Sequence, residues 1–419
     1  SHSSCELVAM ASAAPDSLEE AFSALTNLAD DRLGAKVIFA TDEWFAPAEM
    51  MLQSAPPKFD PDAFCEQGKV MDGWESRRRR LPGHDWCILE LGLAGYIHGI
   101  EVDTAYFTGN QVPKVRVLAT ELSPVHAKDG WLGQVRPSLG QRGSASSPEE
   151  IAAADKAAEA AGAWVELVPM SPLRPGYVAD GQSVHRFGVP PELASRRLTH
   201  VRLNTHPDGG IARFRVWGVV ARDFASELAS DAVGQIDLLS ALNGGRALGC
   251  SNKHYGEPRN LLRFERGTNM GEGWETARNP RRPAVIVKNP ETGLVDMPGA
   301  RDWCVLRLCA IASGIGELRI DTQHFKGNFP ESVLVEACLA PTATSRALLD
   351  DSGKSSDGVE WKELLPRVCL GPDREHVFTV DSQLRDVGRI SHLRVSIYPD
   401  GGIMRIRAFG KAVEPMPAQ

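Results

Sequence analysis

HVRLNTHPDGGIARFRVWG at residues 200–218 returns as HLRVSIYPDGGIMRIRAFG at residues 392–410. Each copy is an alternating run, a Pro-Asp-Gly-Gly turn and a second alternating run. Period-two alternation marks a half-buried strand, and a glycine-containing turn between two such runs marks a hairpin. The pattern points Ala212, Phe214 and Val216 inward and Arg213 and Arg215 outward. In the second copy Met404, Ile406 and Ala408 take the inner face, Arg405 and Arg407 the outer. A long hairpin repeated with its arginines in register implies duplication of a whole domain.

The rest of the chain repeats with it. Gly73-Trp74-Glu75-Ser76 returns as Gly273-Trp274-Glu275-Thr276, and Asp85-Trp86-Cys87 as Asp302-Trp303-Cys304. Asp103-Thr104, Phe107, Gly109 and Asn110 return as Asp321-Thr322, Phe325, Gly327 and Asn328. Five parts follow: an N-terminal segment over 1–33, a first repeat over 34–220, a helical linker over 221–244, a second repeat over 245–411 and a tail over 412–419. Residues 126–161 have no counterpart and read as an insertion, an exposed loop followed by a helix. Ser147-Pro148-Glu149-Glu150 is the start signal of that helix. Another helix is expected over 16–29, with Ser17 and Glu20 as its capping box. Many short strands with turn signals and few helices give an all-β fold class: two tandem jelly-roll β-sandwiches with a few peripheral helices.

Composition narrows the function classes. The 419 residues are 42% hydrophobic and 24% charged, as in a globular chain. A net charge of −8 argues against nucleic acid as a partner. No apolar run is long enough to span a bilayer, so no membrane partner is expected. The eight cysteines form no C-x-x-C pair. A buried thiol is the expected state of Cys87 and Cys304, and a reducing compartment is expected. The C-terminal PMPAQ is not the peroxisomal tripeptide, so the cytoplasm is expected, with the peroxisome left open.

Motifs for nucleophile elbows, phosphate loops and zincins are absent. The richest stretch is MDGWESRRRRLPGHD (71–85), which carries Asp72, Glu75, Arg77, Arg78, His84 and Asp85. A carboxylate there can act as general acid or base, and a guanidinium can clamp a substrate carboxylate. A run of four arginines is more often a solvated face, and Gly-Trp-Glu serves either as a site or as a structural corner. Asp103 and Asp321 either bind a ligand amide or cap a turn.

The motifs FATDEWFAPAE (39–49), MDGWESRRRRLPGHDW (71–86), VDTAYFTGN (102–110), NMGEGWETAR (269–278) and IDTQHFKGN (320–328), with the two PDGG hairpins, resemble the allantoicase family. The resemblance covers nearly the whole chain apart from the first thirty or so residues and the 126–161 insertion. It implies galactose-binding-like jelly rolls, a homo-oligomer, and hydrolysis of allantoate to ureidoglycolate and urea. Met50 departs from the family, which has Asn there; Asn260 keeps it in the second repeat. Cleaving a C–N bond of allantoate needs an acid for the departing ureido nitrogen, a base, an arginine for the carboxylate, and acceptors for the ureido N–H groups. Glu75 or Asp72 is assigned the acid/base role, with His84 as a spare base. Arg77 and Arg78 are assigned the clamp, and Asp42, Glu49, Asp103 and Asn110 the ureido groups. Asn252, Asn260, Glu275, Arg278 and Asp321 outline a divergent second-repeat site. No metal or other cofactor is required by the pattern, though Asp, Glu and His brought together in space leave room for a divalent cation. The competing readings are a non-catalytic pair of sugar- or protein-binding modules and a hydrolase for a related ureide such as ureidoglycolate.

Overall fold

The structure, a computed structural model, describes residues 25–122, 138–229, 234–282, 285–296, 299–350 and 359–417, together with Leu18 and Phe22. It divides into two units, the first ending at Ala221 and the second beginning at Arg222. Both are antiparallel sandwiches. The all-β expectation holds in each.

In the first unit the spine is the long strand Asp85–Asp103. Its first half pairs with Lys36–Ala40 on one side and Arg197–His206 on the other. The sheet continues through Lys114–Thr120 to Val165–Pro172. The second half pairs with Arg213–Val220 and Val184–Gly188, and Thr26–Asn27 forms the edge. One strand therefore belongs to both faces. The second unit repeats the layout around Asp302–Ala312, which pairs with Arg246–Cys250 and Ile390–Tyr398. Its other face is Gln235–Asp237, Arg405–Pro415, Glu317–Asp321 and Glu375–Thr379. Alternating residues of these strands fill each core. Ile100, Val102, Phe214 and Val216 do so in the first unit, and Leu318, Ile320, Ile406 and Ala408 in the second.

Several expectations change. Leu18 and Phe22 are helical and buried, whereas Ser17 and Glu20 lie outside the described residues. The expected helix does not reach residue 29: Thr26–Asn27 is a strand, held because Asn27 Oδ1 accepts from Val216 N at 3.0 Å. The linker holds only a short helix, Phe224–Ala229, before the strand Gln235–Asp237. Each unit thus takes its first strand from upstream of the expected boundaries at 34 and 245. The helix Pro148–Ala161 forms with its full capping box. Its buried Ala154 and Ala158 pack on Phe39, Trp86 and Ile88.

The hairpin arginines need the largest correction. Ala212, Phe214 and Val216 are fully buried as expected, but Arg213 is 1% exposed. Its guanidinium binds Asp72 Oδ2 at 2.9 Å and Oδ1 at 3.1 Å, with the carbonyls of Ala55 (2.8 Å) and Ala212 (2.7 Å) taking further N–H groups. Arg405 repeats this on the carbonyls of Glu265 (2.8 Å) and Glu272 (2.7 Å). Arg215 and Arg407 sit half-buried beside them, on the carbonyls of Gln53 and Arg263. The outer face is covered by the loop preceding Gly-Trp-Glu, and the arginines tie that loop down. Removing one partner of a buried, hydrogen-bonded charge costs about 3–5 kcal/mol. Arg213→Met is therefore expected to lower first-unit stability by about that much in urea denaturation, and Asp72→Asn by less, since the carbonyl partners remain.

Candidate active site

Glu75 lies in the two-residue strand Trp74–Glu75, which pairs with Gly210–Ile211 of the PDGG turn. The next turn residue back, Gly209, has φ +124°, a conformation that favours glycine. At Gly210 a Cβ would fall 2.0 Å from the Phe107 ring, so only glycine lets the turn close on that aromatic. Gly210 N then donates to Asn110 O at 2.7 Å, which fixes the Asn110 backbone. From there the Asn110 side chain donates from Nδ2 to Glu75 Oε1 at 2.6 Å. The second unit keeps the pattern: Glu275 pairs with Gly402, and Asn328 Nδ2 donates to Glu275 Oε1.

Glu75 is buried, and burial pushes its carboxyl above the ordinary value. The Asn110 amide and, after it, the charge of Arg142 pull the other way. Arg142 belongs to the inserted segment. Its guanidinium donates from Nη1 to Phe45 O, and Nη2 lies 4.0 Å from Met50 Sδ. The N–H groups of Phe45 and Ala46 in turn donate to Glu75 O at 3.3 and 3.2 Å. The segment carrying Arg142 is expected to be an exposed loop, and it is instead tied down. Ser144–Ala145 pairs with Asp42–Glu43, and Gly140 N donates to Glu43 Oε2 at 2.8 Å. Glu43 is fully buried and also accepts from Ala48 N at 2.8 Å.

The other assigned residues divide by what they touch. Asp72 is spent on Arg213 and on Lys58 N. Asp42 accepts from Trp44 N, Arg77 N and Arg77 Nε, the last at 2.7 Å. Arg77, stacked 4.7 Å from the Trp44 ring centroid, is thus already paired. Glu49 and Arg78 are exposed. Asp103 caps its turn by accepting from Ala105 N at 2.8 Å, and Asp321 accepts from Gln323 N at 2.8 Å. His84 belongs to a separate cluster. Its ring stacks on His206 at 4.2 Å and meets Asn204 Oδ1 at 3.1 Å, and burial lowers its pKa.

In the second unit Asn252 accepts from Ala277 N and His254 N, just as Asp42 accepts main-chain N–H groups in the first. Asn260 donates to Gly273 O at 2.9 Å, a main-chain bond that Met50 cannot make. Arg278 is exposed. Among the described residues no group of three or more His, Cys, Asp or Glu side chains is placed to hold a metal. What converges is a buried carboxyl with a raised pKa, an amide that orients it and a guanidinium beside it. That set can move a proton and hold an anion.

The family model of the allantoicase repeat matches residues 26–221 and again 236–413. The chain belongs to the allantoicase family. A probable allantoicase of Pseudomonas syringae pv. syringae is 36% identical over 390 residues, covering 93% of this chain and 97% of that one. The probable allantoicase of Pseudomonas fluorescens is 38% identical over 391 residues, with the same coverage. The crystal structure of allantoicase from Saccharomyces cerevisiae superposes with a TM-score of 0.54 at 31% identity, covering 94% of this chain and 97% of that one.

Arg142 and Glu43 are the allantoicase-frame residues that sequence reasoning missed. One signal was present: Glu43 becomes Lys253 in the repeat that has no inserted segment to bind. Raised by burial, the Glu75 carboxyl is penalised only when ionised. It favours the fold below the ordinary carboxyl range, and that contribution is lost as pH rises through the raised folded value. Glu75→Gln is therefore expected to be at least as stable as the parent at pH 8, the difference vanishing near pH 4. Urea denaturation at the two pH values checks this.

Proposed function

We propose that this protein hydrolyses allantoate to ureidoglycolate and urea, with chemistry at the Glu75–Asn110–Arg142 site of the first repeat. The single observation carrying the site is the buried Glu75 carboxyl, raised by burial and oriented by Asn110. The family membership supports the reaction. In it, water oxygen bonds to the central carbon and gives up a proton, the C–N bond to one ureido group breaks, and the departing nitrogen takes up a proton to leave as urea. Glu75 is the group proposed to pass that proton. A carboxyl with a raised pKa keeps a protonated fraction nearer neutral pH, which suits a general acid. Arg142 is proposed as the substrate-carboxylate clamp in preference to Arg77, whose guanidinium is held by Asp42. Asn110 keeps a carbonyl oxygen for a ureido N–H while its amide nitrogen holds Glu75.

The second repeat keeps Glu275 and Asn328 without an inserted arginine and is proposed as a non-equivalent site. A cytoplasmic setting and a homo-oligomer are proposed with the family resemblance as support; Cys87 and Cys304 are free and buried.

Urea release from allantoate tests the reading. Glu75→Gln is expected to lower kcat by roughly 10²–10⁴-fold. Arg142→Ala should raise KM roughly 10- to 100-fold, the weight of a charge-assisted hydrogen bond. Glu275→Gln is expected to leave most activity. Full activity in Glu75→Gln, or loss confined to Glu275→Gln, would reverse the assignment of the repeats. Activity on ureidoglycolate alone would replace the substrate.

A further inference from the structure

Three strands of the second unit set Arg246, Arg307 and His392 directly opposite one another in a single row. Arg246 faces Arg307 across one ladder, and Arg307 faces His392 across the next. Residues so paired point to the same face of the sheet, with Cβ atoms about 5 Å apart. Arg307 is 8% exposed and His392 fully buried, while Arg246 is half-buried at the edge. Arg307 spends one N–H of Nη2 on Pro417 O at 3.0 Å, and its Nε has no partner. His392 meets Ser391 Oγ through Nδ1 at 2.9 Å, and its Nε2 has no partner. No carboxylate among the described residues pairs with either arginine. Like charges directly opposite on a sheet are destabilising, and a buried unpartnered charge more so.

The first unit supplies the internal comparison. The same three positions there hold Lys36, Glu90 and His200, in the same register. Lys36 and Glu90 form a salt bridge of 3.0 Å. His200 meets Thr199 Oγ1 at 2.8 Å, as His392 meets Ser391. The frame is therefore built around an anion in its central position. In the second unit that position is Arg307, so the row carries the cations of the arrangement and lacks the acid.

We propose that the Arg246–Arg307–His392 row binds a small oxyanion, a short carboxylate or an inorganic phosphate, which lies against Arg307 and supplies the negative charge that Glu90 supplies in the first repeat. Two guanidinium groups provide the forked N–H geometry that carboxylate and phosphate oxygens accept. The free Nε of Arg307 is one donor. His392 Nε2 becomes a second in the tautomer whose Nδ1 accepts from the Ser391 hydroxyl, at 2.9 Å against 3.3 Å for that hydroxyl's other acceptor, Cys338 O. Arg246, at the edge, is the way in. The proposal concerns the second unit alone and does not depend on the Glu75 assignment.

The test is thermal unfolding of the full chain at constant ionic strength set with chloride, titrated in one arm with inorganic phosphate and in another with acetate. Binding is expected to raise Tm saturably, by at least about 5 °C at a hundredfold excess over Kd. The arm that responds identifies the oxyanion. The shift should vanish in Arg246→Met, which changes a partly buried side chain on the edge strand, and in Arg307→Glu. The Arg307→Glu chain supplies its own anion and should melt above the parent in chloride alone. A parent that responds to neither anion beyond chloride overturns the proposal, as does an Arg246→Met chain that responds like the parent.

Discussion

A ladder of two residues decides what each unit can do. Trp74–Glu75 against Gly210–Ile211 is too short to hold by itself, so its neighbours hold it. Trp74 is buried and donates from Nε1 to Asp42 O at 2.9 Å, while Ser76 exchanges hydrogen bonds with Gly209. The result is a carboxyl carried on rigid main chain inside a desolvated corner. Proton transfer depends on such placement, because pKa and orientation are then set before substrate arrives. Trp274–Glu275 and Gly402–Ile403 repeat the ladder, with Trp274 Nε1 on Asn252 O.

Duplication gave two such corners, and one segment makes them unequal. The strand Ser144–Ala145 lies on Asp42–Glu43 and brings Arg142 alongside Glu75. Among the described residues of the second repeat no strand matches it, although, against expectation, a short helix, Ser345–Leu348, stands where the inserted helix does and packs Leu348 with Val305 and Trp303; there Glu43 is replaced by Lys253 and Asp42 by Asn252. Divergence has gone the same way in the Lys36–Glu90–His200 row, where a self-neutralised triad became two arginines and a histidine. In both places the backbone register survived while the charge balance did not.

The fold was legible because its signals are local. Alternation in 212–216 and 404–408 put the right residues in the core, and the Ser147–Glu150 capping box marked its helix to the residue. The outward face was misread because period-two alternation distinguishes two faces of a strand without saying what covers either. Arg213 looked solvated until the preceding loop folded over it. The site was half legible for a related reason. Glu75 and Asn110 stood out because both repeat. Arg142 occurs once, in a stretch rich in glycine and serine, and its partner is a main-chain carbonyl 97 residues away that no side-chain pattern reveals.

The Arg213 and Arg405 clamps share one property. In the second unit the guanidinium contacts on the covering loop are carbonyl oxygens, and in the first two of the four are, the other two being the Asp72 carboxylate oxygens. A carbonyl contact reads the path of the loop and is blind to its side chains. That loop runs from Gln53 to Asp72 in one repeat and only from Arg263 to Glu272 in the other, with little sequence in common. Both still deliver a Trp-Glu pair to the same spot. A duplicated domain fastened in this way can rewrite and resize the rim of each pocket separately while the carboxyl at the bottom stays where it is.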